Sequence, residues 1–583
     1  DNGVKKVAGY QEVMGTCPFA PYYIHPYLTA SGTYYWIAYG STDIAVWNGS
    51  TWTDVVRQAT LQLNGAVSAS AATITVDAGA ALTALATSGT LSIGIDTGTA
   101  NKYEVLTYSS RNTSTGVITL TGTTAYLHPD DAVVTPTGNT STTDSDYGAN
   151  TNSKRWTSTN LNGLVVATNG YDTPQMWPLS SSTNKPDKDV PFKELINWPD
   201  NATCNVIRSF RTFLIGLNWE RIRSGEVANK PETRLVKWST EAAYGSAPST
   251  WDESDATLDA GEYELADTPG DIIDGFPLGD SFIIYKDDSI YIMNYVGTPY
   301  IFSFKLLSPT IGLLAKEAVA EFEGGHFFMG NSDFYVCNGQ TVTPMLSNKL
   351  RRTVFDELNG ENYLKCFVAA DYVRNEMMAC YPAGSSTIVN KALIWNWKDN
   401  TFSFRDLPDT SHISSGIVEI TTGATWDAAT LTWNADSDPW GATNYDNVIK
   451  NIVFADVTNT KIYRDNKGNK KDTATMSAYI ERSGYDLGDP QSVKFVSAVY
   501  PQIEVSGNNT VDVYIGRQMS TEEGITWEGP TAFNPNSQSK VSCRVSGKYF
   551  GIKIESDTDI DWKLHGLSFE VQKKGLRGSR AYG

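Results

Sequence analysis

Residues 34–55 read YYWIAYGSTDIAVWNGSTWTDV. An apolar run, a short polar turn and a second run ending near an aromatic residue make a β-hairpin, and Asn48-Gly49 supplies the positive-φ pair that a two-residue turn demands. The unit recurs along the chain. It appears as LNGLVVATNGYDTPQMW at 161–177, RSFRTFLIGLNW at 208–219, DSFIIYKDDSIYIMN at 280–294 and HFFMGNSDFYVCNGQTVTPM at 326–345. LIWNWKDNTFSF at 393–404 and IVFADVTNTKIY at 452–463 bring the total to about seven. A lone hairpin is only marginally stable, so these units must pack on one another. Radial packing leaves short, protected strand edges, and the spacing is too irregular for a solenoid, so the expected fold is an all-β propeller.

Two regions interrupt the rhythm. Residues 59–147 contain no Trp, are rich in Ala, Thr, Ser and Gly, and still hold strands such as ATITV at 72–76 and VITL at 117–120. They read as a small β-barrel inserted into the propeller, which would then span 1–58 and 148–475. From 476 to 572 the strands lengthen, as in KFVSAVYPQIEV at 494–505, and predict a C-terminal β-sandwich. A basic tail, 573–583, follows. One helix is expected where Ser347 can cap a segment with Leu350, Val354 and Leu358 on one face. The opening DNGVKKVAGYQEV reads like the middle of a β-hairpin, which implies further chain upstream.

The bulk numbers narrow the function. The chain has 583 residues, too many for one core, and its 40% apolar and 11% aromatic content is ample for several. Forty-six basic against 65 acidic side chains give a net charge of −19, which offers no counterion-release drive for gripping nucleic acid. The six cysteines show no CxxC and no small-domain spacing, so neither a zinc site nor a disulfide framework is expected. The five histidines are too scattered to suggest a metal centre or a nucleophilic triad. No phosphate-binding loop, dinucleotide fingerprint, zinc-protease or esterase motif occurs, and no cofactor is implied. With no run of 18 apolar residues and no lipidation signal, no membrane anchor is expected.

Three clusters stand out, each with a plainer alternative. Asp252, Glu253, Asp255, Asp259, Glu262 and Glu264 begin an acidic run without a Lys or Arg; it is either a channel-facing loop that repels phosphate or an ordinary solvated loop. Trp426, Trp433 and Trp440 recur every seven residues among turn formers, as an aromatic platform for a sugar or as anchors pinning a loop. Lys573, Lys574, Arg577 and Arg580 form the tail, as a contact for a neighbouring subunit or a DNA phosphate, or as a solvated terminus. STEEGITW at 520–527 resembles the Asp-box hairpin of sialidases, with Glu522 in place of the Asp.

The order of these elements resembles the tail-nozzle, or packaged-DNA stabilisation, proteins of short-tailed bacteriophages. The resemblance rests on DNGVKKVAGYQEV at the start and on DSFIIYKDDSIYIMN, then SPTIGLLAKEAVAEFEGGHFFMGNSDFYVCNGQTVTPM, SNKLRRTVFDEL and LIWNWKDNTFSF in the centre. It extends to TWDAATLTWNADSDPW and to TEEGITW followed by KYFGIKIESDTDIDWKLHGLSFEV. Residues 59–147 are outside it and resemble decorating β-domains of phage tails. The resemblance implies a non-enzymatic virion protein, made in the host cytoplasm and built into the tail. It would form a homohexameric ring below the portal and an adaptor ring, with tail fibres or spikes around it. That ring would retain packaged double-stranded DNA and conduct it during ejection. The alternatives are a tail protein that binds a host-surface glycan or receptor, and a propeller glycosidase.

Overall fold

The computed structural model describes residues 3–573 apart from 30–33, 56–60, 78–81, 83–84, 94–103, 129, 131, 138–146, 178–191, 200–201, 223–229, 256, 419–449 and 521. The chain divides into two compact units, residues 13–462 and residues 1–12 with 463–583.

The larger unit contains a β-propeller. Blade 1 consists of Tyr23–Leu28, Tyr34–Tyr39, Ile44–Trp47 and Trp52–Asp54, each antiparallel to the next. Blade 2 runs from Thr157–Leu161 to Lys193–Glu194, blade 3 from Ala202–Phe210 to Gly261–Glu264, and blade 4 from Ile272–Leu278 to Ile301–Ser308. Blade 5 runs from Val319–Phe322 to Val342–Pro344, and blade 6 from Phe367–Asp371 to the long strand Thr401–Gly416. That strand serves twice. Its residues up to Thr410 pair with Val389–Asn396, whereas Thr410 to Gly416 pair with Asn451–Asp456 and begin blade 7. Within residues 13–462 blade 7 is completed by the early chain: Met14 and Cys17 share a core with Val453, Ala455 and Ile462, and the Cys17 N–H donates to the Thr460 carbonyl at 2.9 Å. The first strand of each blade lies innermost. The middle strands of the blades carry apolar runs because both faces pack on neighbouring blades, as where Ile283, Phe327 and Leu393 join one core.

Residues 61–137 form the inserted barrel. Six strands are ordered Leu61–Gln62, Val133–Thr137, Gly89–Ile93, Glu104–Arg111, Val117–Leu120 and Thr73–Thr75, and the Leu63–Val76 bridge joins the two ends. Ile74, Leu91, Tyr108, Ile118 and Val134 fill it. Closure removes exposed edges from a segment that has no Trp for a larger core.

The smaller unit contains the sandwich. One sheet orders Val4–Lys5, Trp562–Lys573, Lys494–Val505 and Val541–Gly547; the other orders Ala478–Tyr485, Tyr549–Ser556, Val511–Gln518 and Thr526–Phe533. Val499, Ile515, Phe550 and Trp562 are among the side chains between them. STEEGITW leads into Thr526–Phe533, an edge strand of the second sheet.

Three expectations are corrected. Residues 1–12 and 463–475 fall outside the propeller unit, because Val4 pairs with Leu564 and Lys5 with Lys563 of the sandwich, and Tyr10 pairs with Lys471. Among the described residues the opening strand Val4–Lys5 pairs with Trp562–Lys573 and not with Tyr10–Thr16 as a hairpin would require. Asn48-Gly49 is not a two-residue turn: Trp47 pairs with Trp52, leaving a four-residue loop in which Gly49 alone has positive φ, +99°. The Asn48 side chain instead accepts the Ser50 and Thr51 N–H groups at 3.0 Å, a local bond that Asn makes readily. The expected helix is present as Asn348–Glu357, with the Ser347 hydroxyl accepting from the Leu350 N–H and Val354 fully buried. No helix among the described residues is long and apolar enough to cross a membrane.

Candidate functional site

The inner strands meet around an axis, and polar side chains link them there. His25 Nε2 lies 3.0 Å from Asn160 Oδ1, joining blades 1 and 2. Thr159 and Ser209 hydroxyls, 2.8 Å apart, join blades 2 and 3. Arg208 reaches from blade 3 to Asp274 of blade 4 in a bidentate pair, Nε to Oδ1 at 3.1 Å and Nη2 to Oδ2 at 2.9 Å. The Glu317 N–H, just ahead of blade 5, donates to Asp274 Oδ2 at 2.9 Å, and its carbonyl accepts the Val368 N–H of blade 6 at 2.8 Å. On blade 7, His412 packs its ring against Phe367, with centroids 5.9 Å apart, and its Nδ1 accepts the Ile24 N–H of blade 1 at 3.4 Å. The circle is complete.

At its centre lies a three-member ion cluster. Arg208 Nη2 also donates to Glu317 Oε1 at 2.6 Å, so one guanidinium faces two carboxylates. Asp274 has no solvent exposure, and its oxygens accept from Arg208, Gly275 N–H and Glu317 N–H. Burial raises the Asp274 carboxyl above its ordinary range, against the pull of Arg208. Burial would lower Arg208, but Asp274 and Glu317 outweigh it and hold the guanidinium charged. Glu317 has φ of +66°, left-handed backbone that costs a non-glycine residue about 1–2 kcal/mol. Its three hydrogen bonds hold it there. Strain maintained by surrounding bonds marks a position the fold has fixed tightly.

Around the cluster the ionisable groups are pushed toward neutrality. Burial takes His412 down to about 3, helped by Arg155, His25 and Arg208. It takes His25 down to about 4, although that ring borders an open cavity. Burial together with Arg155 lowers Lys316 to about 7; its Nζ still donates to Arg155 O, Asn205 O and Asn205 Oδ1 at 3.0, 2.7 and 2.8 Å. Three acceptors around one amine favour the ammonium form.

The cluster separates two cavities. One, about 340 Å³, lies where the inner strands begin and is bordered by Tyr22, Arg155, Trp156, Lys365 and Thr410 among others. The other, about 520 Å³, lies toward their far ends, against Leu28, Tyr34, Asn160, Glu321, Tyr372 and Gly416. Tyr23, Glu317 and His412 border both.

The residues singled out from sequence lie elsewhere. The acidic run does not face this axis: Gly261–Glu264 is the outermost strand of blade 3, and the basic partners absent from the run itself come from neighbouring strands. Glu262 accepts from Arg221 at 2.8 and 3.0 Å and from Lys237 at 3.1 Å; Glu264 pairs with Arg234 at 3.2 Å, and Glu253 with Lys237. Asp252 and Asp255 accept N–H groups two residues ahead, and both carboxyls are held low chiefly by hydrogen bonds from Ser254 and Thr257. Nothing places Asp259 at the axis. Lys573 pairs within the sandwich unit with Asp489 at 3.1 Å. Lys574, Arg577 and Arg580, and Trp426, Trp433 and Trp440, lie outside the described residues. Among the described residues no group of three or more His, Cys, Asp or Glu side chains could hold a metal ion.

The axial cluster had a signal that went unread. Arg208 sits in CNVIRSF and Asp274 in DIIDGF, single charges inside apolar strands, which normally require a buried partner.

No family model matches this chain, and no curated protein does. Among solved structures it is similar to Hsv2 from Kluyvelomyces marxianus, at 8% identity over 44% of this chain and 67% of that one, with a TM-score of 0.24. It is similar to AztD from Citrobacter koseri, at 12% identity over 63% and 92%, with a TM-score of 0.24. An exo-beta-1,3-galactanase from Phanerochaete chrysosporium follows at 7% identity over 74% and 99%, with a TM-score of 0.23. Likeness of this order transfers no activity.

Proposed function

We propose that the chain is a structural, non-enzymatic tail protein of a short-tailed bacteriophage, one subunit of the ring-shaped nozzle that retains packaged DNA and conducts it during ejection. The observation that carries this reading, beside the order of elements, is the occupied axis. Arg208, Asp274 and Glu317 fill the middle of the propeller and tie its blades together, so the subunit suits a rigid wall block and offers no pore of its own. A conduit must then lie between several copies arranged around a common axis, which requires an interface that closes on itself, as in the homohexamer the family resemblance implies. A net charge of −19 suits a wall past which phosphates slide without adhering.

Particles made without this protein are expected to package DNA and then lose it. Particles that keep their DNA in its absence would refute the stabilising role. Electron microscopy of the purified tail, counting subunits around its axis, tests the sixfold ring.

The 520 Å³ cavity supports a second reading, a glycan- or receptor-binding tail protein, because Tyr34, Tyr372, Asn160 and Glu321 place aromatic faces beside hydrogen-bonding groups. Hydrolysis has weaker support. Glu321, raised by burial, and Glu317 both border that cavity, but the Glu317 carboxylate is engaged by Arg208 instead of standing free for a sugar. Incubating the protein with host polysaccharide and chromatographing the products separates the readings. Shortened chains indicate a glycosidase, retention without cleavage a binder, and neither outcome leaves the wall block.

A further inference from the structure

The 340 Å³ cavity has a charge account that does not close. Among the described residues Arg155 has no carboxylate partner: Nη2 donates to Lys316 O at 2.7 Å, Nη1 to Lys365 O at 3.5 Å, and Nε is buried without an acceptor. Lys365 Nζ donates to one carbonyl, that of Thr387, at 2.6 Å. Lys316 lies against Arg155, and Arg208 lies behind Glu317, on the side of the other cavity. Of the residues bordering the cavity, Arg155 and Lys365 bring positive charge and Glu317 is the one carboxylate, already engaged by Arg208, in a chain whose net charge is −19. Buried cations held by carbonyls alone remain poorly compensated.

The surrounding wall has the other parts of a ligand site. Tyr22, Tyr23 and Trp156 offer aromatic surface, and the Asn150 Oδ1 oxygen is buried without a donor. The volume is at the lower end of small-molecule pockets, and a cavity of this size cannot admit a nucleic-acid duplex.

We propose that this cavity binds a small organic acid, its carboxylate or phosphate oxyanion held by Arg155 and Lys365 and its body packed against Tyr22, Tyr23 and Trp156. The oxyanion supplies the missing countercharge, and a guanidinium presents N–H groups that match its oxygens. The site is independent of the nozzle reading and would stand if that reading fell.

The test uses the full chain, thermal melting and tryptophan fluorescence, with glucuronate, inorganic phosphate and glucose as probes. Glucuronate or phosphate is expected to bind saturably and raise the melting temperature, and glucose is not. Arg155→Gln and Lys365→Met are each expected to weaken anion binding at least about tenfold. Binding of glucuronate alone assigns the oxyanion as a carboxylate; binding of phosphate alone assigns it as a phosphate. If Arg155→Gln fails to fold, Lys365→Met decides, since among the described residues that half-buried side chain bonds to a single loop carbonyl. Failure of both anions to bind, equal binding of glucose, or unchanged affinity in the folded variants would overturn the proposal.

Discussion

Two of the arginine–carboxylate networks in this propeller, one at the axis and one at the edge of blade 3, differ in nearly every physical respect. At the axis, Arg208 is 7% and Asp274 0% exposed, and the pair joins two blades. At the outer edge of blade 3, Arg221 is 13% and Glu262 23% exposed, and Glu232, Glu253 and Lys237 belong to the same blade or the loop beside it. The edge is rich in acids and announces itself in the sequence. The axial cluster has two carboxylates, yet there the shortage of water, the fixed geometry and the strained Glu317 backbone come together. Burial, not density of charge, makes the electrostatic centre.

The comparison can be broken most directly at Asp274. Asp274→Ala removes the acceptor of Arg208 Nε, Gly275 N–H and Glu317 N–H together, leaving three buried donors unpaired. A loss of about 3–5 kcal/mol is expected from urea unfolding of the full chain. A loss below about 1 kcal/mol would mean that the axis is no more demanding than the edge.

Acid should separate the regions next. His412 is neutral in the fold, its Nδ1 accepting a backbone N–H, and burial lowers it from the ordinary 6.5 to about 3, with Arg155, His25 and Arg208 adding to the shift. Below 6.5 the unfolded chain takes up a proton that the folded chain refuses, so stability falls with pH through that window. About 3 kcal/mol should be lost by pH 4, to which His25 adds in the same direction. Glu262 acts later. Burial would raise it, but Arg221 and Lys237 together hold it below its ordinary 4.5, so its contribution persists until pH falls beneath that value. Urea midpoints measured from pH 7 to 4.5 should therefore decline in the wild type and decline less steeply in His412→Gln, with His25 carrying the remaining slope. An unchanged slope in that variant would remove His412 from the account.

What the sequence disclosed follows from range. Hairpins such as 280–294 depend on neighbours a few residues apart, and the Ser347 cap acts over three residues, so pattern and turn chemistry sufficed for both. The absence of Trp from 59–147 likewise foretold a core of different construction. The axis depends on closure instead: Arg208 is 66 residues from Asp274 and 109 from Glu317, and only completion of the ring brings them together. Nothing local marks Glu317 as left-handed, since its backbone is held by partners on blades 4 and 6 and its side chain by one on blade 3. The pairing of Val4 with Leu564 was hidden for the same reason, with nearly the whole chain intervening.

The smallest effect is expected where the sequence looked most functional. Glu262→Gln takes one carboxylate from the edge, but Arg221 keeps Glu232 at 2.8 Å and Lys237 keeps Glu253, so neither cation loses its last partner. Glu262 also remains within reach of solvent, where water takes up part of what the ion pair gave. A destabilisation of about 1 kcal/mol or less is expected, with no change in the slope of stability between pH 6.5 and 4.5, because Glu262 titrates below that window. Urea unfolding at two pH values measures both. A loss approaching that of Asp274→Ala would show that the edge network works as one unit with Lys237, whose side chain is 2% exposed, and that burial of the cation alone sets the cost.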